Sequence, residues 1–288
     1  MFGLLNLNKP PGCTSRDVVN RVQKLVRPEK VGHAGTLDPL ATGVLVVAIG
    51  GATRLVEYVQ QQPKKYLATF LLGRSSDTED VEGRIVELVD PPLPTREQLE
   101  AALPPFTGEI DQVPPAFSAL KVGGKRAYAL ARRGEEVQLA ARRVTIFGLQ
   151  VVDYAYPVLR LDIGCSSGTY VRSLGRDLAR SLRTEAVMSA LIRTAIGPFT
   201  LADAISTDEL TIESIAQHLQ PAGAAVRHLP KVELDHGEVT ELLHGRPIRR
   251  SGPVAASDVA AFDQRGEMIA ILAERDGRLW PTRVFATQ

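Results

Sequence analysis

The chain has 288 residues and a formal net charge of +1, and 44% of its residues are hydrophobic. This composition excludes a wholly disordered chain, because enough apolar side chains are present to bury a substantial core. The longest apolar run is far shorter than the roughly 20 residues that a membrane-spanning helix needs, so no membrane association is expected. Two cysteines are too few for a disulfide scaffold or a four-cysteine zinc site, which favours a reduced, cytoplasmic setting.

Helical and strand-like patterns follow one another along the first part of the chain. Thr14 and Asp17 have the spacing of a capping box, and apolar residues at helical spacing come after them, which predicts a first helix. Residues 31–43 predict a loop, and residues 44–49 predict a buried strand or the start of a helix. Alternating patterns predict strands in three further segments, which are residues 66–72, 144–152 and 159–163.

The rest of the chain predicts a polar loop, a further helix and then a β-rich C-terminal domain. Residues 73–83 predict a polar loop, and an apolar stripe after Gly168 predicts a helix with Arg172 on another of its faces. The strands and helices do not alternate regularly, which favours an α+β fold over a doubly wound parallel sheet. Short strand-like segments with turn signals then predict a compact β-rich domain at residues 228–288, after a first domain at residues 1–227.

Positive charge is concentrated in one segment. Between residues 116 and 143, seven basic side chains stand against two acidic ones, although the chain as a whole is nearly neutral. The basic residues are Lys121, Lys125, Arg126, Arg132, Arg133, Arg142 and Arg143. Such a segment is typical of an element that follows nucleic-acid phosphates. On charge alone, a solvated helix face explains it equally well.

Missing motifs disfavour several classes of enzyme. The sequence has no phosphate-binding or dinucleotide-binding glycine loop, no serine nucleophile elbow and no pair of histidines at metal-binding spacing. The simplest expectation is a reaction that needs neither a cofactor nor a metal ion.

Asp38 lies in the most informative segment, residues 32–43. Pro39 pushes Asp38 toward extended geometry, and small residues on both sides allow a ligand to approach the backbone closely. Taken by itself, an Asp-Pro turn that caps a helix is the commoner explanation of such a segment.

The whole string Gly-His-Ala-Gly-Thr-Leu-Asp-Pro-Leu-Ala-Thr-Gly closely resembles the catalytic motif of the pseudouridine synthases, and specifically that of the TruB family of bacterial tRNA pseudouridine-55 synthases. Other motifs similar to those of this family follow in the family's order along nearly the whole chain. They are residues 8–15, the tyrosine motif 64–66, residues 114–121 and 128–134, the arginine motif 167–174, and residues 191–194, where Ile192 stands in place of an arginine. Their joint occurrence makes chance similarity improbable.

The resemblance implies a pseudouridine-synthase catalytic domain with a mixed or antiparallel sheet, an RNA-gripping insertion at about residues 114–143, and a PUA-like C-terminal domain. It implies that Asp38 is the catalytic carboxylate, acting as nucleophile or as base; the covalent and glycal routes both stay open. Arg172 is implied as its cationic partner, although the residues alone favour an Arg172–Asp177 pair or a solvated helix face. Tyr66 is implied to stack on the flipped base and to help remove the C5 proton.

The resemblance also implies a set of substrate-binding residues. They are His33, Tyr170, Leu191, Lys121, Arg132 and Arg142. His33 is expected to fill the space that the flipped uridine leaves, Leu191 to pack on the second face of the base, and the basic residues to bind phosphates. Lys9 and Pro10 are expected to support the active-site tyrosine structurally.

The implied reaction converts uridine 55 in the T-loop of tRNA to pseudouridine. The expected partner is tRNA, with the catalytic domain on the T stem-loop and the C-terminal domain on the acceptor arm. No cofactor, metal ion or protein partner is expected, and the enzyme is expected to be a monomer in the cytoplasm.

Three alternatives stay open. The first is a non-catalytic tRNA-binding protein or folding chaperone on the same fold, against which the intact set of Asp38, Tyr66 and Arg172 argues. The second is a glycosidase-like enzyme that acts on small sugars. Such an enzyme needs a second carboxylate, for which Asp77, Glu79 and Asp80 are the candidates. The third is a guide-dependent synthase, against which the absence of a lysine-rich extension argues.

Overall fold

The computed structural model describes residues 1–118, 120–122, 125–126, 133, 139–249 and 257–285. Most of the strands belong to a ten-stranded mixed sheet. Its members are β1 (Gly3–Lys9), β2 (Val31–His33), β3 (Thr42–Ile49), β4 (Lys64–Leu72), β7 (Gly108–Gln112), β10 (Arg142–Ala155), β11 (Val158–Cys165), β12 (Ala186–Ile196), β13 (Phe199–Thr200) and β14 (Ile205–Ser206). The main strand order is β14-β1-β3-β12-β4-β11-β10-β7, with β2 beside β3 and β13 beside β12.

A second sheet of five strands is formed by the C-terminal part of the chain. Its members are β15 (Lys231–Glu233), β16 (Ile248–Arg249), β17 (Val259–Phe262), β18 (Met268–Arg275) and β19 (Arg278–Val284). Two small hairpins pair β5 (Arg74–Ser76) with β6 (Ile85–Glu87) and β8 (Lys121–Val122) with β9 (Lys125–Arg126). The α-helices within the described ranges are Ser15–Leu25, Val56–Gln61, Arg96–Ala102, Val171–Ser181, Ile212–His218 and His236–Leu243.

This arrangement confirms the predicted α+β class and the β-rich C-terminal part. Most neighbouring strands are antiparallel, while β1 with β14, β3 with β12 and β15 with β17 run parallel. None of the helices in the described ranges is long and apolar enough to cross a membrane.

The first helix begins where the sequence predicts it. The Thr14 side chain accepts a hydrogen bond from the Asp17 amide, and the Asp17 carboxylate accepts one from the Thr14 amide, so the capping box is complete. Val18, Val19 and Val22 are buried on one side of this helix. The helix is therefore fixed at its N-terminal end by the cap and along its length by apolar burial.

The three alternating patterns are confirmed as strands, because they fall within β4, β10 and β11. Residues 44–49 form most of the buried strand β3 rather than a helix start. The predicted loop at residues 31–43 is wrong at both ends: Val31–His33 forms β2, and Thr42 and Gly43 already belong to β3. The predicted polar loop at residues 73–83 likewise includes β5.

β3 is buried on both faces, which explains its nearly continuous apolar sequence. Leu45 and Val47 pack with the first helix on one face. Val44 and Val46 lie on the other face, in a cluster that also contains Ile271 of β18 and the C-terminal Phe285. The core thus continues across the predicted boundary between residues 227 and 228, and that division into domains stays a prediction.

Candidate active site

Hydrogen bonds on both sides hold the loop that carries Asp38. The Leu37 amide donates to Ser15 Oγ at 2.9 Å, and Ser15 Oγ donates to the Leu37 carbonyl oxygen at 3.2 Å. Beyond the aspartate, the Ala41 amide donates to the Asp38 carbonyl oxygen at 3.0 Å. The Asp38 side chain itself is 37% exposed. A fixed backbone therefore presents an accessible carboxylate.

Lys9 lies fully buried against this loop. Its Nζ donates to the carbonyl oxygens of Pro10 at 2.9 Å, Pro39 at 3.2 Å and Ala41 at 2.7 Å. Burial lowers the pKa of Lys9 from its usual value. Lys9 was expected to support Tyr66, but its hydrogen bonds go to the aspartate loop and the turn beside it.

Gly43 allows β3 to approach β12 directly behind this loop. Its φ of +97° lies in the region that favours glycine, and a Cβ atom there would overlap the backbone of Arg193. The glycine at the end of the aspartate motif is therefore required by strand packing.

Arg172 connects Asp38 to the polar loop between β5 and β6. Its Nη2 lies 3.2 Å from Asp38 Oδ2, and its Nη1 lies 3.2 Å from Asp80 Oδ2. The guanidinium also donates to the carbonyl oxygens of Thr78 at 2.7 Å and Phe117 at 3.1 Å. The Arg172 side chain is only 7% exposed. The structure thus brings Arg172 to Asp38, as the resemblance implies, and not to a solvated surface.

Asp80 is the site residue that the sequence did not assign to the catalytic group. It is 4% exposed, and its Oδ1 accepts hydrogen bonds from Thr78 Oγ1 at 2.6 Å and the Glu82 amide at 3.1 Å. Its backbone forms an isolated bridge with Met188 of β12. Asp38 and Asp80 thus share one guanidinium. Asp38 binds Nη2 and Asp80 binds Nη1, so Asp80 fixes the position of Arg172 beside Asp38.

A second ion pair fixes the same loop one helical turn further along. Arg176 Nη1 pairs with Glu79, and Ser173 Oγ donates to the other Glu79 oxygen at 3.1 Å. Burial raises the pKa of Glu79. Asp177, the alternative partner for Arg172, pairs with Arg176 Nε at 2.8 Å instead.

Asp38, Asp80 and Arg172 open onto a cleft of about 1050 Å³. Its lining includes Asp38, Tyr66, Asp80, Tyr170, Arg172, Leu191, Arg142, Lys64 and Arg193. Tyr66 and Leu191 are both buried, and burial raises the pKa of the Tyr66 phenol, which is therefore protonated at neutral pH. Among the described residues, no three His, Cys, Asp or Glu side chains are grouped to hold a metal ion.

Two buried cations also line the cleft. Arg193 is 1% exposed, and its guanidinium donates to the Val44 carbonyl oxygen at 2.7 Å and the Gly35 carbonyl oxygen at 3.1 Å. Lys64 is 6% exposed and donates to the Gln60 carbonyl oxygen. Of these two cations, Arg193 binds directly to the aspartate loop, through the Gly35 carbonyl oxygen.

His33 lies at the end of β2, opposite Val47 of β3, and is half-buried. It does not contribute to the described lining of the cleft, although Gly35, two residues later, does. Burial is the main cause that lowers the His33 pKa, so the ring is neutral at pH 7. A neutral imidazole ring at the edge of the aspartate loop is suited to contact with a nucleobase.

Arg142 is the one of the three basic residues expected to bind phosphates whose side chain the structure describes. Its guanidinium lies 4.5 Å from the centre of the Tyr170 ring and donates to the Gly168 carbonyl oxygen. This contact stabilises the loop just before the helix that bears Arg172. Lys121 begins β8, while Arg132 lies outside the described residues.

Comparison with known proteins places the chain in a family. The profile of the TruB family pseudouridylate synthase (N-terminal domain) matches residues 23–171, and that of the tRNA pseudouridine synthase II C-terminal region matches residues 229–286. Two solved structures are similar at TM-scores of 0.76 and 0.75. The first, an H/ACA RNP bound to a substrate RNA containing 2′-deoxyuridine, shares 26% identity over 99% of this chain and 86% of that one. The second, a Cbf5-Nop10-Gar1 complex, shares 27% identity over 99% and 84%.

Relatives named tRNA pseudouridine synthase B match along their full length. The protein from Arthrobacter sp. is 44% identical over 99% of this chain and 97% of its own. The protein from Rhodopirellula baltica is 39% identical over 99% and 95%, and the one from Dehalococcoides mccartyi strain CBDB1 is 42% identical over 100% and 98%. This chain therefore belongs to the TruB family of pseudouridylate synthases.

Proposed function

We propose that this protein isomerises uridine to pseudouridine at position 55, in the T-loop of tRNA. The observation that supports this most strongly is the accessible Asp38 carboxylate, held at 3.2 Å from a buried Arg172 in a cleft that also contains Tyr66. The full-length relatives named tRNA pseudouridine synthase B support the same reaction. No observation favours the chaperone alternative.

The chemistry assigned to Asp38 is redox-neutral. As a nucleophile, its carboxylate forms a bond to the ribose C1′ while the C1′–N1 bond breaks and leaves its electron pair on uracil. As a base, it removes the C2′ proton while the same bond breaks. In both routes the uracil then turns. In the first route C5 forms the new bond to C1′ as the Asp38–C1′ bond breaks, and in the second route C5 bonds to C1′ while Asp38 returns the proton to C2′. The C5 proton then leaves.

Arg172 has a positioning role in this proposal. Its shared contact with Asp38 and Asp80 fixes the direction of the Asp38 carboxylate before the substrate arrives. Because Arg172 is also bonded to two carbonyl oxygens, its guanidinium cannot turn freely toward the substrate. Asp80 is accordingly a positioning residue.

Tyr66 and Leu191 bind the uracil ring. They lie on neighbouring strands, β4 and β12, and both line the cleft. An aromatic ring on one face and an aliphatic side chain on the other are suited to a flipped base. The Tyr66 phenol is protonated before reaction, so any role in removing the C5 proton requires an acceptor for its own proton.

His33 is proposed to occupy the space that the target base leaves, in which case a flat ring matters more than a titratable proton. We expect His33→Phe to retain far more activity than His33→Ala or His33→Gly, and an RNA with an unstacked target to restore part of the His33→Ala activity. The rate should show no inflection below the ~6.5 of a free histidine that the substitution removes, because burial lowers the His33 pKa.

The His33 test is read from single-turnover rates of tritium release on folded and unstacked substrates. Equal losses of roughly 10²–10⁴-fold in His33→Phe and His33→Ala, with no recovery on the unstacked RNA, would indicate acid–base catalysis and refute gap filling.

The RNA-gripping insertion is proposed to bind phosphates of the T stem-loop. Neutralising Lys121, Arg132 and Arg142 together should weaken binding to every tRNA. The slope of log Kd against log salt should fall by roughly 0.7–0.9 for each phosphate that the variant no longer neutralises. Filter binding over a salt series measures this slope.

A matched triple variant controls for loss of net charge. Arg96, Arg183 and Arg227 are exposed and do not line the cleft, so their neutralisation should leave the slope nearly unchanged. If both triple variants change the slope equally, the insertion has no special role in phosphate binding.

The remaining assignments complete the proposal. Residues 1–227 form the catalytic domain, and residues 228–288 form a PUA-like domain that contacts the acceptor arm. The protein acts as a monomer in the cytoplasm without a protein partner.

Tritium release from tRNA that carries 5-tritiated uridine tests the reaction, and the modified position is found by nuclease digestion of the product. Release without pseudouridine at position 55 would refute the position, and no release from the wild type would refute the reaction.

A further inference from the structure

The cleft is lined by acidic residues on its loops and by two buried cations on its strands. The carboxylates of Asp38, Asp80 and Glu82 lie on the loops that surround Arg172. Lys64 and Arg193 lie on β4 and β12, the strands that also supply Tyr66 and Leu191. The side with the carboxylates also contains Arg172 and Arg84, whereas Lys64 and Arg193 lie near the proposed position of the base.

Strand register places the two cations beside the base-binding residues. Arg193 is the direct partner of Tyr66 across β12 and β4, and Lys64 precedes Tyr66 by two residues, on the same face of β4. Leu191 precedes Arg193 by two residues on β12. All four side chains are buried and line the same cleft.

Neither cation is neutralised by a carboxylate in the described part of the chain. Lys64 and Arg193 donate hydrogen bonds to backbone carbonyl oxygens, and the Arg193 side chain also faces the Tyr66 hydroxyl. No Asp or Glu oxygen of the described residues lies within ion-pair distance of either cation. A buried charge without a counter-ion is costly. This arrangement is therefore suited to an anion that enters the cleft during the reaction.

The proposed reaction supplies such an anion. When the C1′–N1 bond breaks, its electron pair stays on N1, so the detached uracil is negatively charged until C5 forms the new bond to C1′. We propose that Lys64 contacts the detached uracil and stabilises its negative charge. Arg193, whose guanidinium binds the Gly35 carbonyl oxygen of the aspartate loop, adds to the positive potential. This inference rests on the proposed function and assigns the leaving base to a site distinct from the Asp38–Arg172 pair.

The surroundings of Lys64 make its charge sensitive to pH. Burial first, and then the neighbouring Arg193 on β12, lower the pKa of Lys64 to about 8. From β11 the facing group is Cys165, whose thiol pKa is raised by burial to about 11, so it remains neutral in this range. The helix that precedes β4 contributes the Gln60 carbonyl oxygen. Lys64 therefore loses its charge as the pH rises through about 8, before the other facing groups titrate.

Lys64→Met tests the proposal, because methionine preserves most of the side-chain volume and removes the charge. The measured quantity is the ratio of wild-type to Lys64→Met single-turnover rates over a pH series, with enzyme in excess over tRNA. We expect a ratio of about 10²-fold well below pH 8, the low end of the loss caused by removing one transition-state donor. The ratio should fall toward one above pH 8, where wild-type Lys64 is itself neutral.

Lys65→Met is the matched control, because Lys65 is exposed and lies on the opposite face of β4. Its ratio to wild type should not depend on pH. Thermal unfolding and tRNA affinity of Lys64→Met should match those of the wild type. A Lys64→Met ratio that is independent of pH would indicate a structural role, and a ratio that rises with pH would indicate a general base. Both results overturn the proposal, whereas absence of pseudouridine with the wild-type enzyme overturns the proposed function instead.

Discussion

Replacing Asp38 with asparagine is expected to lower the rate of tritium release by about 10³-fold or more and to leave tRNA affinity within a few-fold. The amide has nearly the shape of the carboxylate and can still accept a hydrogen bond from Arg172. It cannot form the bond to C1′ and cannot accept the C2′ proton. The loss should therefore appear in single-turnover rates and not in binding.

Asp77→Asn is the matched control for Asp38→Asn. Asp77 also lines the cleft, but its Oδ1 accepts a hydrogen bond from the Arg84 amide, so it acts within its own loop. We expect much of the activity to survive this change. Residual turnover of Asp38→Asn above about a tenth of the wild-type rate would remove Asp38 from the role of nucleophile or base. A metal chelator should change neither enzyme.

Arg172→Lys is expected to have the second largest effect, a loss of about 10²–10³-fold in the single-turnover rate. A lysine ammonium cannot bridge two carboxylates and two carbonyl oxygens in the planar arrangement of a guanidinium. Asp38 would keep its chemistry but lose its fixed direction. The tRNA affinity should change little.

The double variant separates positioning from general destabilisation. If Asp80 acts through Arg172, then Asp80→Asn should be costly in the wild-type background and nearly neutral in Arg172→Lys. Arg180→Lys is the control on the same helix, because Arg180 pairs with Glu185 and is 58% exposed. Additive losses from Asp80→Asn and Arg172→Lys would show that the two residues act independently.

The sequence predicted those elements whose signals are local. The capping box of Thr14 and Asp17 is contained in four residues, and the alternation along β4 reflects one buried and one accessible face. The three-residue strand β2 was missed, because so short a segment holds too little periodicity and depends on pairing with β3.

The residues of the candidate site also differ in whether a local sequence pattern indicates them. Asp38 stands out within its own motif, while its pairing with Arg172 was implied by the family resemblance and not by the residues, which favoured Asp177. Asp80 was noted only as one of three acidic residues. Its position opposite Arg172 depends on the bridge to Met188, a contact between distant parts of the chain that no local pattern reports. The cationic side of the cleft likewise emerges only when β4 and β12 are paired.

The apolar cluster that contains Val44 and Val46 of β3 and Ile271 of β18 contributes to the free energy of unfolding of both sheets. The Phe2 and Phe285 rings stack at 5.5 Å, and Arg54 donates to the Val284 carbonyl oxygen at 2.8 Å. Separating the sheets would expose this surface at roughly 25 cal/mol for each Å² of apolar area. Neither part can open without that cost, so the cluster couples the stability of one sheet to that of the other. Ala34, four residues before Asp38, belongs to this same cluster, so the loop that bears Asp38 packs in part against side chains near the end of the chain.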